Sequence, residues 1–99
     1  MHVDVQQIYP SSNGRDFIYL GYPMHLTPTE FRILSYIVER QGGAADAKAL
    51  LASCYAGKVP DASNVAIRIS AINQKARAIG GRRLICFVTG RGYKICDDI

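Results

Sequence analysis

Groups able to catalyse a reaction or hold a metal are few in this sequence, and they are scattered. His2 and His25 each stand alone, with no cysteine, carboxylate or second histidine at ligand spacing. Cys54, Cys86 and Cys96 are odd in number and lack paired C-x-x-C spacing, which indicates neither a zinc site nor a disulfide framework. Buried thiols in a reducing compartment are the expectation for all three. No paired carboxylates and no nucleophile beside a base mark an active site. The expectation is therefore a protein that is not an enzyme and uses neither metal nor cofactor.

The cations are organised. Residues 1–57 hold four (Arg15, Arg32, Arg40, Lys48) against five acids, a net charge of −1. Residues 58–96 hold eight (Lys58, Arg68, Lys75, Arg77, Arg82, Arg83, Arg91, Lys94) against Asp61 alone, a net charge of +7. Asp97 and Asp98 then bring the chain to +4. A basic half beside a near-neutral half suits a polyanionic partner, with a merely solvated cationic surface as the competing reading.

Ninety-nine residues, 48% apolar and 20% charged, make one globular domain with a modest core. No apolar run approaches the ~18–20 residues of a membrane helix, so no membrane partner is expected. The opening Met1-His2-Val3-Asp4 lacks a basic region followed by an apolar stretch, as a signal peptide would have. The expected location is the cytoplasm.

Residues 1–26 read as a small antiparallel sheet. Val3, Val5 and Ile8 form the first strand, and Pro10-Ser11-Ser12-Asn13-Gly14 is dense turn material. Phe17 to Leu20 is β-prone, Gly21-Tyr22-Pro23 reads as a tight turn, and Met24 to Leu26 as a short return strand. Residues 27–80 read as three helices. Thr27-Pro28-Thr29-Glu30 is a capping box with proline at the first helical position, opening a helix over about 28–41. Its apolar face is expected at Phe31, Leu34 and Val38, flanked by Ile33 and Ile37. Asp46 caps a second helix to about Tyr55, burying Leu50, Leu51 and Cys54. A third starts near Asn64, with Val65, Ile69, Ile72, Ala76 and Ile79 on its apolar face and Gly80-Gly81 at its end. Residues 84–96 read as a hairpin around Gly90-Arg91-Gly92.

Sheet, helix, helix, turn, helix, hairpin is the order of an α+β winged helix-turn-helix fold. That order also puts the +7 segment on the third helix and the hairpin, the parts such a fold brings to DNA.

Several stretches resemble the OmpR/PhoB-type winged-helix effector domain of bacterial response regulators. Leu26-Thr27-Pro28-Thr29-Glu30-Phe31-Arg32-Ile33-Leu34 is similar to its opening helix, and Gly21-Tyr22-Pro23-Met24-His25 to the turn and strand before it. Leu50-Leu51 with Tyr55 resembles the second helix, with tyrosine where the family usually has tryptophan. Asn64-Val65-Ala66-Ile67-Arg68-Ile69 resembles the start of the recognition helix, and Val88-Thr89-Gly90-Arg91-Gly92-Tyr93-Lys94-Ile95 the wing. The resemblance implies a cytoplasmic transcription regulator of a two-component system. Its third helix would enter the major groove of duplex DNA and its wing the adjacent minor groove. The implied partners are DNA, RNA polymerase and a second copy on direct-repeat half-sites. Such domains usually follow a phosphorylated receiver domain, which this sequence does not contain.

The chain departs from the family where bases would be read. Ser70 and Ala71 stand where relatives carry strong donors, and Thr89 where the wing often has arginine. The outer face of the third helix holds Ile67, Ser70, Ala71, Gln74 and Ala78. Ile67 suits a thymine methyl and Gln74 suits adenine N6 and N7. Lys58, Arg68, Lys75, Arg77 and Arg91 sit at the edges, where cations suit phosphates. With Ser63 and Asn64 at the helix start, these residues and Thr89 are the candidate DNA contacts. Arg68 lies toward the core side of the wheel, where an ion pair with Asp61 competes with phosphate. The alternative function is a winged-helix protein-interaction module that has lost most base reading.

Overall fold

In a computed structural model, residues 7–40, 42–55 and 62–96 are described. Val3, Val5, Lys58 and Asp61 lie outside them. Three short strands come first: β1 (Ile8–Pro10), β2 (Phe17–Tyr19) and β3 (Tyr22–Pro23), paired antiparallel in the order β1-β2-β3. Helices α1 (Pro28–Glu39), α2 (Ala47–Cys54) and α3 (Ala62–Gly80) follow, then the hairpin β4 (Ile85–Val88) and β5 (Gly92–Ile95). This is a winged helix-turn-helix fold, with the hairpin as its wing.

The first hairpin turns earlier than the sequence suggests. Tyr19 pairs with Tyr22, so Leu20 and Gly21 form a two-residue loop, both with positive φ (52° and 85°). A primed turn needs that geometry at both central residues, and it matches the twist of the strands. The expected return strand at Met24–Leu26 is therefore replaced by Tyr22–Pro23. Pro10, expected in a turn, ends β1 opposite Phe17.

At α1 the capping box is complete. The Glu30 amide donates to Thr27 Oγ1 (3.3 Å) and the Thr27 amide to Glu30 Oε1 (3.0 Å). The buried face of α1 is Glu30, Ile33, Leu34 and Ile37; Phe31 and Val38 are only partly buried. The core thus lies about one position round the helix from where the pattern put it, and Phe31 turns toward Phe17, ring centroids 5.4 Å apart. Asp46 caps α2 by accepting from the Ala49 amide (2.8 Å), and Leu50 and Cys54 are buried. α3 starts two residues before Asn64. It buries Val65, Ile69, Ile72 and Ala76, as its spacing predicts, with Ile79 packed at the margin.

Two of the three cysteines contradict the expectation of free thiols. Cys86 and Cys96 are joined by a disulfide with their Cα atoms 5.3 Å apart; Cys54 is the buried free thiol. Cys86 lies opposite Lys94 in the β4–β5 ladder, and Cys96 is two residues further along, which makes the cysteines diagonal neighbours. That adjacency is created by the hairpin register. A ten-residue separation in sequence does not carry it.

Candidate nucleic-acid interface

The outer surface of α3 is set by the inward pull of Val65, Ile69, Ile72 and Ala76. Ile67, Arg68, Ser70, Gln74, Arg77 and Ala78 are exposed in consequence, with Asn64 and Ala71 half-buried. Ile67 is 61% exposed, a large apolar side chain held open on an otherwise polar and small-residue face. Ser63 lies in the first turn of the helix. The Tyr55 hydroxyl donates to the Asn64 carbonyl (3.4 Å), joining the end of α2 to the start of α3. Burial pushes the Tyr55 phenol up, and the nearby Arg68 guanidinium partly offsets this. Arg68 is therefore exposed and beside Tyr55, while its suggested partner Asp61 lies outside the described residues.

Lys75 was expected at the phosphate edge, but its ammonium points inward. It lies 2.5 Å from Glu30 Oε1 and donates to the His25 carbonyl (2.9 Å). Glu30, only 2% exposed, is the one buried charged residue among those described. One carboxylate oxygen thus receives both the Thr27 amide and the Lys75 ammonium, tying the middle of α3 to the first turn of α1. His25 has a positive φ of 60°. It is held there by its N–H, which donates to Asp16 Oδ2 (3.0 Å), and by Lys75, which donates to its carbonyl. This lock spans 45 residues of sequence, and no local pattern announces it.

Asn73, half-buried on α3, anchors the wing. Its Oδ1 accepts from the amides of Leu84 (3.0 Å) and Ile85 (2.8 Å), and its Nδ2 donates to the Ile85 carbonyl (3.0 Å). The other wing strand is tied by a two-way bridge between Tyr93 and Ala45, each amide donating to the other's carbonyl at 2.8 Å. Gly92 makes this approach possible: at φ 123°, a Cβ there would lie 2.3 Å from the Ala45 carbonyl oxygen. Beyond these ties the tip runs free of the body. Thr89, Gly90 and Arg91 are all exposed, and the Arg91 amide closes the turn on the Val88 carbonyl (2.9 Å).

Phe87 is 62% exposed, edge-on to Tyr93 at 5.3 Å. It shares a strand face with Ile85 but extends past the core beneath that face. Arg82 and Arg83, after the end of α3, are exposed; Arg82 acts on the Tyr19 phenol, which burial otherwise pushes up. Lys58 lies outside the described residues. The structure thus brings Ile67, Arg68, Ser70, Gln74 and Arg77 onto the open surface of α3, with Thr89 and Arg91 on a projecting tip. Among the described residues no group of three His, Cys, Asp or Glu is placed to hold a metal ion. None of the described helices is long and apolar enough to cross a membrane.

The family described as "Transcriptional regulatory protein, C terminal" matches residues 21–95. A search of curated protein sequences finds no match. Among solved structures, the chain is similar to the DNA-binding domain of the response regulator AdeR in complex with an intercistronic region. The TM-score is 0.81 at 19% identity, covering 92% of this chain and 95% of that one. It is similar also to the DNA-binding domain of CpxR from E. coli (TM-score 0.76, 19% identity, covering 100% and 99%). A third is the Klebsiella pneumoniae RstA DNA-binding domain in complex with the RstA box (TM-score 0.74, 20% identity, covering 96% of each chain).

Proposed function

The chain belongs to the family of transcriptional regulatory protein C-terminal domains, the OmpR/PhoB-type DNA-binding domain, and from that premise we propose how it engages DNA. The exposed face of α3 lies in the major groove, with Gln74 and Ile67 against base edges and Arg68 and Arg77 at phosphates. The wing reaches the neighbouring minor groove with Arg91. Asn64 adds a contact at the start of the helix and Lys58 one from the sequence before it, and Ser70, Ala71 and Thr89 give close approach without strong base reading. Lys75 has a structural role here, since Glu30 neutralises it.

One observation carries this reading. The basic tip of the wing projects from a base fixed to α3 by Asn73 and to the α1–α2 connection through Ala45. A side chain that enters a groove needs such a rigid mount. Arg91→Ala should therefore weaken binding by about 1–3 kcal/mol, most on sites whose minor groove is narrowed by A·T runs. Titration of parent and variant against A·T-rich and G·C-rich flanks checks this. An equal loss on both, or none, removes the wing from the mechanism.

Family membership supports the wider setting of a cytoplasmic regulator in two-component signalling. Pairing of two copies on direct-repeat half-sites and contact with RNA polymerase follow from the same resemblance. The exposed Ile67 and Phe87 favour one other reading, a protein-binding surface on the same elements. Absence of duplex binding at low salt would select it.

A further inference from the structure

We propose that Cys86 and Cys96 are a reversible thiol–disulfide site that sets how rigidly the wing is held, with low-molecular-weight disulfides and thiols of the glutathione class as its reactants. Its effect on DNA rests on the wing's proposed role in the minor groove; the thiol chemistry does not.

The pair is placed where a bond has mechanical consequence. Cys86 lies in β4 and Cys96 directly after β5, so the bond closes a ring that contains the whole tip, Arg91 included. A two-stranded hairpin has little stability of its own. Here it is tied to the body by Asn73 on one strand and by Ala45 on the other, and both ties grip the base. The disulfide lies at the same base, one ladder row short of the Tyr93–Ala45 tie, and is the covalent link that fastens the two strands to each other there.

Access to the two sulfurs is unequal. Cys86 is half-buried, whereas Cys96 is buried beside Leu84, to whose carbonyl its amide donates (2.9 Å). Cys86 is then the residue an outside thiol or disulfide meets, and Cys96 the resolving partner. In oxidation, the Cys86 thiolate attacks one sulfur of a small disulfide and expels one small thiolate, leaving a mixed disulfide on Cys86. The Cys96 thiolate attacks the Cys86 sulfur and expels the second. Two protein thiols lose two electrons and two protons, and one small disulfide gains them as two small thiols. Reduction runs the same steps backwards, with Cys96 leaving first. Lys94 is the residue paired with Cys86 across the ladder, which makes the sulfur's cross-strand neighbour a cationic residue. Cys54, buried in α2, takes no part.

Oxidised protein presents Arg91 on a closed ring. Reduced protein keeps the ladder and both ties but loosens the base from which the tip projects, and a looser wing loses more freedom on binding.

The test uses the whole chain equilibrated with excess oxidised or excess reduced glutathione. After denaturation, alkylation should count one thiol in the first case and three in the second, reversibly. Two backbone amides report the wing: Arg91, bonded to Val88, and Tyr93, bonded to Ala45. Their hydrogen exchange should quicken about tenfold on reduction while α1 amides keep their rates. Cys86→Ser should exchange like the reduced form in both buffers. Duplex affinity for an A·T-rich site should fall about threefold to tenfold on reduction. Three alkylated thiols in excess oxidised glutathione would overturn the site, and equal exchange of Arg91 and Tyr93 in the two forms would overturn its control of the wing. If exchange changes and the affinities of the two forms are equal, the switch on DNA is overturned. Absence of duplex binding in both forms would instead count against the groove reading, and the exchange data keep the two failures apart.

Discussion

Lys75 and Gln74 are neighbours in sequence with opposite fates. Gln74 is exposed on α3, whereas Lys75 folds its stem back to a buried carboxylate. A wheel angle places a Cα on a flank; it does not say where a four-carbon stem will carry the charge. Glu30 makes the difference, because a buried carboxylate without a cation would be costly. Lys75→Met should therefore lower stability by about 2 kcal/mol, less than for a fully buried pair because the lysine side chain is nearly a third exposed. Denaturant unfolding would measure this, and duplex affinity of the folded variant should be nearly unchanged. Gln74→Ala should relax preference at one or two base pairs by ~1–3 kcal/mol, while Arg77→Ala should weaken binding to all sequences alike. Affinities measured across a set of single-base-pair variants separate the two. A reversed pattern would reassign the face.

At the scale of elements, local chemistry was the legible part. The capping box, the Asp46 cap and the four-residue core stripe of α3 depend on neighbours within a turn or two, so the chain displays them directly. The first hairpin was misplaced because Gly21 and Pro23 both punctuate, and only the ladder pairing shows that the loop is Leu20-Gly21. The disulfide was missed for a related reason: register, set by the wing's turn, makes Cys86 and Cys96 neighbours. Asn73 is not singled out by the sequence, because its three bonds go to backbone groups 11 and 12 residues away. Those bonds satisfy two amides and a carbonyl at the base of β4. Asn73→Ala should cost about 2 kcal/mol of stability, the range expected when buried backbone groups lose their partner. It should also quicken exchange of the Leu84 and Ile85 amides before it affects those of α1. Uniform exchange across the molecule would mean that Asn73 does not anchor the wing in particular.

For the whole molecule, the division of charge is the feature that sequence and fold share. The described basic residues of 58–96 fall on α3, the loop after it and the wing, while α1, α2 and the first sheet are near neutral. The sequence made this asymmetry visible because net charge needs no geometry. It could not show that Lys75 is neutralised within the fold. The remaining edge cations, Arg68, Arg77, Arg82, Arg83 and Arg91, with Lys58, are enough to engage four to six phosphates. The central claim is therefore tested most directly by titrating duplex DNA at several salt concentrations. The logarithm of the binding constant should fall linearly with the logarithm of salt, with a slope of about −4 to −5. A slope near zero, or no duplex binding even at low salt, would contradict it.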